Sequence, residues 1–302
     1  MRVFITGGTG FVGTRLIPHL LESGHRVHLL LREGEQGKPL PPGVTHTVGD
    51  PMEPGPWWDP LRDCDAAINL AGHPIFTRWT AHVKVLIRDS RTATTRNLVA
   101  AIPRDRPFTL LSASGIGIYG DCKDRELDED EPLGRDFLAG VARDWEAEAR
   151  RAEAVGARVA LLRFGIIFDA DGGALPELVH NVRTLRAGQL GSGRQWMAWI
   201  HREDVVRGCG FLLEQETLRG PINFSAPEPA RQLDVARTLG HLLGRHKLVR
   251  VPLIALRLAL GEGYEIAGFS QRGQPRRLLE AGFRFRHPDL ESALREILPR
   301  MP

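Results

Sequence analysis

A cluster of glycines near the N-terminus has the spacing of a nucleotide-binding turn. Residues 6–13 read TGGTGFVG, which satisfies GxGxxG through Gly8, Gly10 and Gly13 and GxxGxxG through Gly7, Gly10 and Gly13. Missing side chains let the backbone turn tightly and approach a pyrophosphate, and a helix that starts there offers free N–H groups to the anion. The spacing predicts a dinucleotide-binding turn that contains Gly7, Thr9, Gly10, Phe11, Val12 and Gly13.

The end of the second apolar run bears on which dinucleotide is bound. That run, at 26–31, is followed by Arg32. A protein that prefers NAD usually has an Asp or Glu there, whose carboxylate accepts hydrogen bonds from the ribose and repels a 2′-phosphate. An arginine can instead form charge-assisted hydrogen bonds to the 2′-phosphate. Glu33 is adjacent and could contact a ribose hydroxyl, but neighbouring side chains at a strand end point in different directions. We predict that Arg32 faces the ribose and that the cofactor is NADP(H).

Motifs along the whole chain resemble those of one known family. The glycine turn and the segment Asn69-Leu70-Ala71-Gly72 resemble the extended short-chain dehydrogenase/reductase superfamily. Further matches are Arg78-Trp79, Ser90-Arg91, Trp145-Glu146, Leu162-Arg163-Phe164-Gly165, Trp199-Ile200-His201-x-x-Asp204, Ala281-Gly282-Phe283-Arg284-Phe285 and His287-Pro288-Asp289-Leu290. Together they resemble the YfcH-like epimerase family proteins, whose C-terminal domain has no assigned function. The resemblance implies Arg32 at the ribose and a further set of cofactor contacts: Asp50, Leu70, Ala71, Gly72, Arg91, Ser112, Gly165 and Ile166.

The catalytic pair that this resemblance implies is absent from the expected helix. In the superfamily, a Tyr exchanges a proton with the substrate oxygen, and a Lys one helical turn later lowers the pKa of the phenol. The helix that ends near Trp145-Glu146 reads FLAGVAR at 137–143 and contains neither residue. A Tyr-x-x-x-Lys match at Tyr119 and Lys123 lies in a glycine-rich segment, where we predict a loop that cannot hold both side chains on one helix face.

Five side chains remain candidates for the chemistry. The resemblance implies a catalytic Ser at Ser112 or Ser114, and we favour Ser114, which can orient a carbonyl but cannot easily supply its proton. Tyr119, His201 and Asp204 are candidates for that proton. We therefore predict Ser114 and Tyr119 as the catalytic residues.

Substrate contacts are predicted after the glycine-rich stretch that ends near residue 193. Arg194 and Gln195 could bind an anionic or polyhydroxylated substrate, because a guanidinium grips a phosphate or carboxylate with two hydrogen bonds. Arg194 could equally be an exposed loop cation. His201 lies on the return segment that borders the substrate cleft in the superfamily. With Asp204, however, it more often forms a hydrogen-bonded pair that fixes a loop than an acid–base couple.

The elements that must position these residues alternate between strand and helix patterns. Apolar runs occur at 2–6, 26–31, 45–48, 66–70, 108–112, 159–164 and 222–224, and helical patterns at 11–21, 83–101 and 137–155. This alternation predicts an α/β fold with a Rossmann-type doubly wound parallel sheet. Beyond residue 227, helices punctuated by prolines predict a smaller, mainly helical C-terminal substrate lobe. The predicted boundaries are 1–167 plus 200–226 for the NADP-binding domain and 168–199 plus 227–302 for the substrate or capping lobe.

Composition and charge exclude several classes of protein. The 302 residues carry a formal net charge of +3, with 42% hydrophobic and 25% charged residues, which is the balance of a globular protein. Arg and Lys are scattered among nearly as many Asp and Glu, so we expect no nucleic-acid partner. The lack of an apolar run of roughly 18 residues and of a leader predicts a cytoplasmic protein without a membrane partner. Cys64, Cys122 and Cys209 are far apart and the 11 His show no ligand spacing, which predicts no metal site.

Two classes of function remain open at this point. The first is an atypical NADP-dependent reductase or epimerase with a small-molecule substrate, such as a nucleotide sugar or another carbonyl compound, whose acid is recruited elsewhere. The second is a dinucleotide-binding or redox-sensing protein without turnover. We favour the enzyme, as a monomer or homodimer, because the C-terminal lobe keeps polar residues where a substrate would bind.

Overall fold

The computed structural model describes residues 1–185 and 187–301. Its strands are β1 (Arg2–Thr6), β2 (Arg26–Leu31), β3 (Thr45–Val48), β4 (Ala66–Asn69), β5 (Thr109–Gly115), β6 (Glu126–Leu127), β7 (Arg158–Phe164), β8 (Ile166–Asp169), β9 (Gly172–Gly173), β10 (Ala187–Leu190), β11 (Trp196–Met197), β12 (Trp199–His201), β13 (Gly220–Phe224), β14 (Ala230–Arg231), β15 (Val249–Val251) and β16 (Arg272–Gly273). Its α-helices are α1 (Gly13–Glu22), α2 (Trp58–Arg62), α3 (Ala81–Ala101), α4 (Phe137–Arg150), α5 (Leu175–Leu185), α6 (Arg202–Glu214), α7 (Gln232–Leu242), α8 (Leu253–Leu260), α9 (Glu265–Gly268), α10 (Arg276–Glu280) and α11 (Leu290–Ile297). Single 3-10 turns cover Ile116–Tyr119, Arg151–Val155, Glu262–Tyr264 and Leu298–Arg300.

Seven strands form one parallel sheet in the order β3-β2-β1-β4-β5-β7-β13. The chain runs outward from β1 to β3 and then returns to β4 on the other side of β1. This reversal creates a crevice beyond the carboxyl ends of β1 and β4, which is where open parallel sheets bind ligands. The predicted Rossmann-type doubly wound sheet is therefore confirmed.

Apolar clusters cover both faces of the sheet. On one face, Leu16 and Leu20 of α1 and Leu212 of α6 pack against buried strand residues. On the other face, Leu98 of α3 and Ala149 of α4 pack in a second cluster. The strands of a parallel sheet are buried on both faces, which explains why they read as short continuous apolar runs in the sequence.

The C-terminal region is mainly helical, as predicted. Helices α5, α7 and α11 share a third apolar cluster, and α8, α9 and α10 follow one another between residues 253 and 280. Arg202 joins this region to the glycine turn, because its buried guanidinium donates to Asp169 at 2.6 Å and to the carbonyl oxygen of Phe11 at 3.1 Å. The proposed boundaries of the two lobes stay a prediction.

None of the helices in the described residues is long and apolar enough to cross a membrane.

Candidate functional site

The glycines of the N-terminal turn meet three different steric demands. Gly7 has a φ of +71°, and a Cβ there would lie 2.8 Å from the backbone of Leu70. A Cβ on Gly13 would lie 2.4 Å from the carbonyl oxygen of Gly8, so this residue lets α1 start against the turn. A Cβ on Gly10 would meet only the oxygen of Gly7, at 3.2 Å, and would otherwise enter open space. Only at Gly10, therefore, does the missing side chain leave room for a ligand.

A cleft of about 510 Å³ opens at the carboxyl ends of β1, β4, β5 and β7. It brings together most of the residues that the sequence predicted at the cofactor: Gly7, Gly10, Phe11, Val12, Gly13, Leu70, Ala71, Gly72, Arg91, Gly165 and Ile166, together with Ser114. The cleft wall does not include Thr9, Arg32, Asp50, Ser112, Tyr119, Arg194, Gln195 or His201. Of these, Asp50 accepts the N–H of Met52 in an exposed turn, and Ser112 is buried within hydrogen-bond distance of Asn69.

The turn and its surroundings fit a dinucleotide. Because α1 begins at Gly13, its first N–H groups lie beside the open space at Gly10 and can bind a pyrophosphate. Arg91 is the one cation in the described cleft wall, and its guanidinium lies against Gly72. Its hydrogen bonds go to the carbonyls of His73 and Ile87, both at 3.0 Å. Burial lowers the pKa of Arg91 to about 10, so the side chain remains charged at neutral pH.

A charged group lies at the end of β2, outside the cleft wall. The carboxylate of Glu35 accepts hydrogen bonds from Thr9 Oγ1 at 2.8 Å, Lys38 Nζ at 2.8 Å and the backbone N–H of Arg32 at 3.0 Å. Partial burial acts to raise the pKa of Glu35, but the hydrogen bonds outweigh it and lower the pKa to about 2. Glu35 thus holds two cations next to the glycine turn, with the Arg32 side chain 71% exposed. No sequence pattern indicated Glu35 or Lys38, because their role depends on a loop that returns to Thr9.

Helix α4 presents an apolar face to the cleft. Leu138 and Ala142 both line the cavity and are one helical turn apart, which is the spacing of the Tyr–Lys pair. Val141 and Trp145 extend the same face. The structure therefore places no proton donor of the expected kind on α4, as the sequence indicated.

Ser114 ends β5 and is tied to a buried ion pair. Its hydroxyl donates to Glu146 Oε1 at 2.8 Å, and Arg163 donates to both oxygens of that carboxylate, at 2.8 and 2.9 Å. All three side chains are buried. Since a hydroxyl has one hydrogen, Ser114 can only accept a hydrogen bond from a ligand while it donates to Glu146.

Tyr119 is a buried structural residue rather than part of the cleft wall. Its hydroxyl donates to Asn223 at 2.9 Å and accepts from Arg163 at 2.8 Å. Burial is the main cause that raises its pKa to about 12. Lys123, by contrast, is 81% exposed and pairs with Asp121. As the glycines predicted, the two residues do not share a helix: a 3-10 turn ends at Tyr119, and Lys123 has a φ of +55°.

The three predicted substrate residues lie outside the cleft wall. Arg194 is exposed, and Gln195 is buried, where it donates to the carbonyls of Leu190 and Ala267, both at 3.0 Å. His201 caps α6, because its Nδ1 accepts the N–H of Glu203 at 3.0 Å. Burial is the main cause that lowers the pKa of His201 to about 4.

Asp204 also has a structural role. Its carboxylate accepts the backbone N–H groups of Arg286 and His287, at 2.7 and 2.9 Å. These hydrogen bonds hold the C-terminal segment against α6. Asp204 therefore fixes a loop, which was the alternative to an acid–base role.

One group of side chains has the composition of a metal site. His201, His287 and Glu296 place ligand atoms within 4.8 Å of one another in the described chain. Nδ1 of His201 already accepts a backbone N–H, so the hydrogen of the neutral ring is on Nε2. Neither ring nitrogen of His201 then offers a free lone pair, and the group does not fit a cation.

Two acidic residues in the cleft wall were not predicted as site residues from the sequence. They are Asp136, which caps α4 by accepting the N–H of Ala139 at 3.1 Å, and Glu265, the first residue of α9. Burial is the main cause that raises the pKa of Glu265, and the nearby charge of Asp136 adds to the effect. They were missed because 128 positions separate them in the chain and only the packing of α9 near α4 brings them to one cleft.

Fold and cleft together define a Rossmann-type dinucleotide-binding protein. Residues 3–224 match the model of the NAD dependent epimerase/dehydratase family, and residues 251–297 match a domain of unknown function, DUF1731. The chain therefore belongs to the NAD dependent epimerase/dehydratase family, in the group of epimerase family proteins that the motifs indicated.

Similar proteins match this chain over nearly its whole length. The "Epimerase family protein SDR39U1 homolog, chloroplastic" of Arabidopsis thaliana is 36% identical over 99% of this chain and 87% of its own length. "Epimerase family protein YfhF" of Bacillus subtilis is 35% identical over 99% of this chain and 98% of its own. The crystal structure of human epimerase family protein SDR39U1 (isoform 2) with NADPH is similar over 100% of both chains, with a TM-score of 0.84 and 31% identity.

Proposed function

We propose that this protein binds NADP(H) and interconverts a carbonyl and an alcohol on a small, uncharged, largely apolar substrate. The glycine turn, the N-terminus of α1 and Arg91 would hold the dinucleotide, and Arg32 with Lys38 would bind its 2′-phosphate. The similar human protein was crystallised with NADPH, which supports this choice of cofactor.

The charge of the cleft wall carries the choice of substrate. Arg91, its one described cation, lies against Gly72 at the turn, whereas the part formed by α4 and the C-terminal segment holds Asp136 and Glu265. Most other side chains there are apolar, such as Ile266 and Phe269, and the neutral amide of Gln271 donates to the carbonyl of Gly120 at 3.1 Å. A nucleoside diphosphate would bring negative charge next to the carboxylate of Asp136 and the carboxyl group of Glu265, without a cation to bind it. A neutral carbonyl compound fits this wall better than a nucleotide sugar.

The chain's own residues would do three things in such a reaction. Bound NADPH supplies the hydride for carbonyl reduction. The apolar face of α4 excludes water from the reacting atoms. Ser114, whose hydrogen is engaged by Glu146, can accept a hydrogen bond from a substrate hydroxyl and so orient it.

A protein that binds the dinucleotide without turnover is the second candidate. Leu138 and Ala142 favour it, because they stand where the Tyr–Lys spacing would place an acid and its partner. Such a protein would bind NADPH and leave every carbonyl compound unchanged.

The test combines binding with turnover. NADPH and NADH are titrated against the tryptophan fluorescence of the protein, to which Trp145 in the cleft wall contributes. NADPH oxidation is followed with 4-nitrobenzaldehyde and other apolar aldehydes. UDP-glucose is added as a competitor. We expect tighter binding of NADPH, oxidation with aldehydes and no inhibition by UDP-glucose. Strong competition by UDP-glucose would contradict the substrate class, and binding without any oxidation would favour the second candidate.

A further inference from the structure

The C-terminal segment is anchored beside the cleft by contacts that fix the position of α9. Gly261 forms a β-bridge with Trp79, whose backbone N–H donates to the carbonyl of Leu260 at 3.2 Å. A Cβ on Gly263 would lie 2.8 Å from the carbonyl oxygen of Thr77, so the chain can approach this closely only with glycine. Glu265 follows directly and begins α9.

An apolar cluster holds α9 near the cleft-facing side of α4. Ile266 packs with Leu138 against buried Trp79 and Val141. Leu138 begins a pair of cleft-facing α4 positions, with Ala142, that has the spacing of the missing Tyr–Lys pair. Glu265, next to Ile266 in the chain, lines the same cleft. The chain thus brings a carboxyl group close to the place that lacks a phenol.

One oxygen of the Glu265 carboxyl group has no hydrogen-bond partner among the described residues. This oxygen, Oε2, is buried. A buried carboxylate oxygen without a donor is unfavourable, whereas a neutral carboxyl group needs only an acceptor. Glu265 lines the cleft, and its neutral carboxyl group can donate through the other oxygen, Oε1, to a substrate oxygen there.

We propose that Glu265 is the proton donor of this cleft and that the C-terminal domain of unknown function supplies it in place of the missing Tyr. This inference rests on the proposed carbonyl reduction. In that reaction, the carbonyl carbon accepts the hydride that NADPH supplies, the C=O π bond breaks, and the oxygen takes the proton of Glu265. The products are an alcohol, NADP⁺ and the Glu265 carboxylate, which regains a proton from water.

The surroundings of Glu265 favour the protonated form. Burial is the largest cause that raises its pKa, followed by the charges of Asp136 on α4 and Glu262 in the preceding turn. Lys84 of α3 acts in the opposite direction, but its ammonium is paired with Glu262. A raised pKa brings a carboxylic acid closer to the pH at which it can donate efficiently.

The other polar groups of the described cleft wall are poorer donors. The amide of Gln271 donates to the carbonyl of Gly120 at 3.1 Å, and neither this amide nor the indole N–H of Trp145 releases a proton at neutral pH. Ser114 donates its hydrogen to Glu146, and Asp136 accepts the backbone N–H that caps α4. The guanidinium of Arg91 does not release a proton at neutral pH. Glu265 is therefore the acid that the packing leaves available.

The first experiment probes protonation without turnover. Dicyclohexylcarbodiimide adds to neutral carboxyl groups in apolar surroundings and leaves an N-acylurea, which mass spectrometry assigns to a residue. We expect labelling of Glu265 at neutral pH that declines as the pH rises, is blocked by NADPH with an apolar aldehyde, and weakens in Asp136→Asn. The exposed Glu280 is the internal control and should remain unlabelled.

The second experiment measures NADPH oxidation with 4-nitrobenzaldehyde in Glu265→Gln and in the control Glu280→Gln. Glutamine keeps the size of the side chain but cannot give up a proton in this way. We expect kcat to fall by about a hundredfold or more in Glu265→Gln, with NADPH affinity unchanged.

The outcomes separate this proposal from the proposed function. An unlabelled Glu265, or full turnover in Glu265→Gln, overturns the proton donor even if the protein reduces aldehydes. A labelled Glu265 in a protein that oxidises NADPH with no carbonyl compound overturns the proposed function and leaves the neutral carboxyl group in place.

Discussion

Gly10 and Gly13 lie three residues apart in one turn and differ in what a side chain would meet. A Cβ on Gly10 would enter the space that a pyrophosphate needs, whereas a Cβ on Gly13 would lie 2.4 Å from the backbone of Gly8. We predict that Gly10→Val abolishes NADPH binding with little loss of stability, and that Gly13→Val destabilises the protein itself. Fluorescence titration and thermal unfolding measure the two effects. Unchanged NADPH affinity in Gly10→Val would contradict the assignment of this space to the cofactor.

Arg32 is predicted to set the preference for NADPH over NADH. Hydrogen bonds to charged groups are worth about 1.5–3 kcal/mol, so Arg32→Ala should weaken NADPH binding by about ten- to a hundredfold and leave NADH binding almost unchanged. Arg26→Ala, at the opposite end of β2, removes the same charge and is the matched control. Both variants are titrated at one ionic strength, since exposed charges are screened by salt. Equal affinities for the two dinucleotides in the wild type would refute the prediction.

The residues that the sequence predicted best are those with a local cause. Gly7, Gly10 and Gly13 are recognisable because a tight turn into a helix requires glycine at fixed spacing. Glu35 and Glu265 carry no such signal, since their environment is created by segments that meet only after folding. The same reason explains why the predictions for Arg194 and His201 failed. Their residue types suggested substrate binding, but folding places both side chains outside the cleft wall.

At the scale of elements, α4 has two faces with different roles. Its cleft face is apolar, and its buried Glu146 forms an ion pair with Arg163 of β7 and accepts the hydroxyl of Ser114. The ion pair therefore fixes the end of β5, where Ser114 borders the cleft.

Removing one partner of this ion pair should cost more than removing both. We predict that Arg163→Met lowers the free energy of unfolding by about 3–5 kcal/mol, because Glu146 is left as an uncompensated buried charge. Glu146→Gln combined with Arg163→Met should recover part of the loss, although the bond from Arg163 to Tyr119 stays broken. Urea unfolding measures both variants. If the double variant is no more stable than Arg163→Met, the uncompensated charge of Glu146 is not the cause of the lost stability.

The sequence predicted long elements more accurately than short ones. The runs at 2–6 and 26–31 coincide with β1 and β2, because a buried parallel strand needs a continuous apolar stretch. The run at 45–48 coincides with β3, which is a largely exposed strand at the edge of the sheet. The two-residue strands β6 and β16 pair with each other across 145 positions and have no periodicity of their own. Helix α5 lies within a stretch that the sequence showed mainly as glycine-rich.

Across the whole molecule, the start of α6 is a junction between distant parts of the chain. The buried rings of His201 and His287 stack with their centroids 3.9 Å apart, and Arg202 reaches both Asp169 and the carbonyl of Phe11. The glycine turn, α6 and the C-terminal segment thus depend on one polar cluster. A change in protonation within this cluster should therefore change the free energy of unfolding of the whole protein.

His201 gives this junction a predicted pH dependence. Its pKa is about 4 in the folded protein, mainly because of burial, against about 6.5 in an unfolded chain. Between these values the unfolded state binds a proton that the folded state excludes, so stability is complete above about pH 6.5 and falls as the pH decreases toward 4. The loss attributable to His201 should reach at most about 3.5 kcal/mol, since one pKa unit corresponds to about 1.4 kcal/mol. His201→Asn removes the titrating ring, and its side-chain oxygen can still cap α6. Urea unfolding at about pH 7, 6 and 5 should therefore show a steeper decline for the wild type than for His201→Asn. The carboxylates affect both proteins alike, so parallel declines would mean that His201 is not the group responsible.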